Sequence, residues 1–85
     1  MKSLLLSITF ILAATFAGAA EYEMTLHHFF SPKEPAQTLM LRPWANEIEK
    51  LSKGKVKINI APGMSLGGKP SDLVKQARSG QVDLI

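Results

Sequence analysis

The 85-residue chain has no cysteine. That excludes disulfides, thiolate metal sites and a lipid-modified cysteine behind a leader, whatever compartment the protein occupies. Aromatic residues are scarce: four phenylalanines, one tyrosine and one tryptophan. There are only two histidines, adjacent at His27-His28. Neighbouring strand residues point to opposite faces, so this pair cannot chelate one metal ion in a regular strand, and no acidic residue at suitable spacing completes a site. One histidine in the core and one at a ligand cleft is the expectation. The net charge of +3 is mild. Charges of both signs alternate beyond residue 20 instead of forming a basic stripe, which argues against a nucleic-acid partner. Internal repeats and low-complexity stretches are also missing.

What is present begins with a leader. Met1-Lys2-Ser3 is positively charged, Leu4 to Phe16 is almost wholly apolar, and Ala17-Gly18-Ala19-Ala20 is small. That order is the secretory signal pattern. The apolar run is shorter than the roughly 20 residues a membrane-spanning helix needs. Residues 1–20 are therefore read as a signal peptide cleaved near Ala19 or Ala20, and residues 21–85 as the N-terminal, incomplete part of a domain that works outside the cytoplasm. The terminal Gln81-Val82-Asp83-Leu84-Ile85 reads as a buried strand cut short, which points to a fragment of a longer protein.

Residues 21–85 read as strand, helix, strand, helix, strand, the alternation of an α/β unit around a parallel sheet. Tyr22 to His28 alternates as a strand. Leu41, Trp44, Ala45, Ile48 and Leu51 form one apolar stripe on a helix from about Ala36 to Ser52. Pro43 inside it predicts either a kink or the start of the regular part. Val56, Ile58 and Ile60 alternate with Lys55, Lys57 and Asn59, a half-wet strand suited to a sheet edge. A second helix runs from about Pro70 to Ser79, with Gly80 as its stop, and Val82 opens a third strand.

Gly63-Met64-Ser65-Leu66-Gly67-Gly68-Lys69-Pro70 imitates a phosphate-binding loop up to its last position. That pattern requires Ser or Thr after the lysine to hold magnesium, and Pro70 has neither a hydroxyl nor an N–H. A tight glycine loop is the plainer reading, with backbone N–H groups at the following helix that can meet an anion. In open α/β sheets ligands bind beyond the carboxyl ends of strands. The loops Phe29–Pro35 and Pro62–Lys69 leave at that edge and are expected to share a cleft. No set of nucleophile, base and orienting group is visible, so an enzyme reading has no support from these residues.

Taken together, Leu26-His27-His28-Phe29-Phe30-Ser31-Pro32, Leu51-Ser52-Lys53-Gly54-Lys55-Val56, Met64-Ser65-Leu66-Gly67-Gly68 and Ala77-Arg78-Ser79-Gly80-Gln81-Val82-Asp83-Leu84 resemble the start of a solute-binding protein of a tripartite ATP-independent periplasmic (TRAP) transporter. The resemblance covers essentially all of residues 21–85. It implies a periplasmic-binding-protein-like α/β fold, of which this chain holds the first βαβαβ unit of domain 1. It also implies a non-enzymatic, cofactor-free periplasmic protein that captures a carboxylate, such as a dicarboxylate or another organic acid, and delivers it to membrane permease subunits. The ligand-facing candidates are His28, Phe29, Phe30, Ser31, Gly67, Gly68 and Lys69. Family members clamp the carboxylate with an arginine of the second domain. Relatives often carry a polar residue where this chain has Phe30, and some an acidic one where it has Gly68; both departures imply a more apolar ligand. The rival expectations are a binding protein of an ATP-driven importer and a secreted α/β enzyme whose catalytic residues lie elsewhere.

Overall fold

The computed structural model describes residues 20–85; the leader expected at residues 1–20 lies almost entirely outside that range. Strand β1 (Tyr22–His27) pairs in parallel with β2 (Val56–Ala61), in a register that sets Tyr22 beside Val56 and His27 beside Ala61. Between them a π-helical stretch (Ala36–Leu41) runs straight into helix α1 (Arg42–Leu51). After β2 come the glycine loop, a 3-10 turn (Pro70–Asp72) and helix α2 (Leu73–Ser79). Gly80 closes α2 in the left-handed conformation at φ 82°, where its N–H reaches the carbonyls of Ala77 and Gln76. The expected third strand is a single parallel bridge between Leu84 and Leu26, with Leu84 N–H donating to Thr25 O at 3.0 Å and His27 N–H to Leu84 O at 3.0 Å. β1 is thus flanked on both sides, and among the described residues β2 pairs with β1 alone.

Pro43 follows the π-helical stretch and falls in the first turn of α1. Arg42 N–H reaches back five residues, to Gln37 O. The bonding pattern changes from the wide turn to the regular one here, so a residue without an N–H is tolerated.

Leu26, Ala45 and Ile58 form the buried cluster, with Leu41, Ile48, Ile60 and Leu84 packed against it. The helix stripe is narrower than its sequence pattern. Trp44, on that stripe, is 42% exposed, and Leu51 is 73% exposed. Leu41, Ala45 and Ile48 lie along the centre line of the stripe, whereas Trp44 and Leu51 flank it and overhang a sheet of few strands. Trp44 instead borders an open apolar hollow of about 280 Å³ with Leu26, Met40 and Leu41.

Candidate functional site

Both predicted loops leave the carboxyl edge of the sheet, and backbone hydrogen bonds knit them together. His28 N–H donates to Ala61 O at 3.1 Å, Met64 N–H to His28 O at 2.9 Å, and Gly63 N–H to Phe30 O at 2.7 Å. The first loop therefore rests on Gly63 and Met64 and not on Gly67, Gly68 and Lys69, which fold back toward α2.

The alternation of β1, continued one residue past its end, sends His27 and His28 to opposite faces, and both are buried; His27 is 0% exposed. The expected division into one core and one cleft histidine gives way to two enclosed rings, because a covering element closes over each. His27 lies toward α2. Its Nδ1 is 2.6 Å from Gln76 Oε1, and its Nε2 accepts the Leu66 N–H at 3.2 Å. Gln76 Nε2 then donates to Gly67 O at 3.0 Å. A backbone N–H can only donate, so Nε2 is the acceptor and the proton sits on Nδ1. His28 lies toward the π-helical stretch that precedes α1. Its Nδ1 accepts the Phe30 N–H at 3.0 Å, and its Nε2 is 2.7 Å from Gln37 Oε1. By the same reasoning the proton of His28 sits on Nε2. Two consecutive neutral imidazoles thus hold opposite tautomers, each tying one loop to one helix.

These bonds occupy both nitrogens of His28, which supports the loop from beneath. Phe29 and Phe30 are the large apolar members of the candidate set, exposed at 52% and 39%. Their ring centroids are 4.7 Å apart, with planes inclined by 33°, a tilted and exposed aromatic pair. Ser31 is exposed, and its hydroxyl accepts the Lys33 N–H at 3.1 Å.

Gly68, at φ +84°, fits closely: a Cβ placed there would lie 2.8 Å from Gln76 Nε2 and 3.1 Å from Asp72 Oδ2. The Lys69 N–H, one of the donors expected to meet an anion, is bonded to Asp72 Oδ2 at 2.8 Å. The negative charge at the start of this short helix is the chain's own carboxylate. Among the described residues no three His, Asp or Glu side chains gather in a way that could hold a metal ion.

Gln37 and Gln76 are the site residues that sequence reasoning missed. Both occupy core positions of their helices: Gln37 lies four residues before Leu41, and Gln76 three after Leu73. A glutamine on an apolar stripe signals a buried partner, and the two histidines are those partners.

This geometry defines a class: an α/β unit with helices on both faces of a parallel sheet, and loops gathered at the carboxyl edge. No protein-family model and no curated protein matches the chain. Solved structures do. A marine metagenome TRAP solute-binding protein specific for aromatic acid ligands, from an unidentified microbe and bound to 3-hydroxybenzoate, is 34% identical. That match covers 75% of this chain and 20% of the other, at a TM-score of 0.70. A triple surface mutant of that protein, bound to metahydroxyphenylacetate, gives 35% identity over 73% of this chain and 20% of its own, with a TM-score of 0.70. A TRAP solute-binding protein from Rhodoferax ferrireducens T118, with copurified benzoate, gives 32% identity over 71% of this chain and 19% of its own, at 0.68. Over the stretch it shares with them, this chain is similar in sequence and fold to TRAP solute-binding proteins. It spans about a fifth of the length of these relatives.

Proposed function

We propose that this chain supplies one wall of the ligand cleft of an extracytoplasmic TRAP-type solute-binding protein, and that the ligand is an organic acid with an aromatic ring. The observation that carries this reading is the exposed Phe29–Phe30 pair at the carboxyl edge of β1. An aromatic face at the position where α/β folds receive ligands favours a flat apolar ring, through burial and offset stacking. The relatives bound to 3-hydroxybenzoate and benzoate support the same ligand class. An aliphatic dicarboxylate, the other expectation for the family, has no ring to place there. The loops described here select the ring, and a carboxylate clamp comes from outside this unit. The role is capture and delivery to membrane permease subunits, without catalysis.

Isothermal titration of the full-length exported protein with benzoate, 3-hydroxybenzoate and succinate tests the reading. The aromatic acids are expected to bind, and Phe30→Ser to weaken them by roughly 0.5–1.5 kcal/mol, the scale of one aromatic pair. Lys75→Ala, exposed on α2, is expected to leave binding unchanged. Preference for succinate, or equal binding by the Phe30 and Lys75 variants, would sink it.

A further inference from the structure

The aromatic pair stands on a hydrogen-bonded support that none of its own atoms explains. Phe30 N–H is held by His28 Nδ1 at 3.0 Å, a bond from a residue's side chain to the backbone two positions on, as in an Asx turn. The His28 ring is itself fixed from behind by Gln37 Oε1 at 2.7 Å. Gln37 is buried, and it lies in the π-helical stretch just ahead of Pro43, where Arg42 N–H bonds back to its carbonyl. Single wide turns of this kind recur at functional sites because they displace one residue from the regular helical path. The ring of His28 also lies 5.8 Å from that of Phe30, inclined at 49°.

We propose that His28 and Gln37 are positioning residues for the Phe29–Phe30 face: Gln37 fixes the orientation of the His28 ring, and His28 fixes the backbone that presents the two rings. This deepens the ligand reading above and rests on it for the identity of what the rings meet. The positioning is independent of any ligand. His27 provides an internal comparison, since the same ring type one residue earlier carries its proton on the other nitrogen.

The test is nitrogen-15 NMR of the full chain, with histidine side chains labelled. The expected result is an Nε2–H tautomer for His28 and an Nδ1–H tautomer for His27. A His28 protonated on Nδ1 overturns the proposal without any variant. His28→Asn keeps a side-chain acceptor for the Phe30 N–H, and His28→Leu removes it. Loss of that acceptor is expected to lower Phe30 amide protection by roughly tenfold in the leucine variant and little in the asparagine variant. The amides of Met24 and Leu26 report whether β1 remains folded. Unchanged Phe30 protection in a folded His28→Leu overturns the proposal. Should His28→Leu unfold, Gln37→Met decides: with the Nε2–H partner gone it is expected to shift the His28 ring signals and lower Phe30 amide protection while β1 stays folded, and an unaltered spectrum with unchanged protection overturns the proposal. Titration with 3-hydroxybenzoate adds the functional readout, with affinity kept by His28→Asn and lowered by His28→Leu. If the wild-type protein binds no aromatic acid, the ligand reading fails, while tautomers and exchange still decide the positioning.

Discussion

The imidazole of His27 and the carboxamide of Gln76 meet at 2.6 Å, 49 residues apart in sequence and both buried. Through this contact β1 holds α2, and through Leu66 N–H and Gly67 O it also holds the glycine loop. Removing one partner leaves the other buried and unsatisfied, at about 1–3 kcal/mol. Gln76→Leu and His27→Leu should each lower stability by that amount in urea unfolding. The double variant should fall short of the sum, because the second change removes a group already stranded by the first. Strictly additive losses would show that the pair is not coupled.

The core makes a second prediction, and it marks how far the pattern of residues could be read. Ile58→Ala, in the buried cluster, should cost about 2–5 kcal/mol, whereas Leu51→Lys, on the overhanging edge of α1, should stay within about 0.5 kcal/mol. Thermal or urea unfolding of the two variants compares them directly. Periodicity located both strands and both helices, because residues alternate or recur only when one face is covered. It does not show how wide the covering surface is, so it sets Trp44 and Leu51 on the same stripe as Ala45 and Ile48. The opposite faces of His27 and His28 followed from strand geometry alone. Their burial did not, since it depends on Gln37 and Leu66, which fold over them from 9 and 39 residues away. Pro43 announced an irregular helix but not its kind.

The leader makes a third prediction. Met1 to Tyr22, fused to a reporter active only outside the cytoplasm, should give activity and a processed product. The expected new N-terminus is Ala20 or Glu21, because small residues at Ala17 and Ala19 suit signal peptidase. N-terminal sequencing of the secreted reporter reads this out. Full-length material retained in the membrane would show an uncleaved anchor instead.

The glycine loop makes the fourth. Gly67 and Gly68 both have positive φ, at +97° and +84°, so any side chain at either position carries backbone strain of about 1–3 kcal/mol. They differ in what surrounds them. A Cβ on Gly67 meets nothing within 4 Å, whereas one on Gly68 would press on Gln76 Nε2 at 2.8 Å, the atom that donates to Gly67 O. Gly67→Ala should therefore show the strain alone, and Gly68→Ala the strain plus disruption of the His27–Gln76 link. The difference is measurable as a lower melting temperature for Gly68→Ala and a shifted His27 Nδ1 signal in its NMR spectrum. An aspartate at Gly68 would repel an acidic ligand, but it would also bring a second carboxylate beside Asp72, whose Oδ2 the Cβ alone would approach to 3.1 Å. Weaker ligand binding by Gly68→Asp thus counts as a cleft effect only if its stability matches that of Gly68→Ala. Equal melting temperatures for Gly67→Ala and Gly68→Ala, with the His27 signal unchanged in both, would show that the close approach to Gln76 is readily relieved.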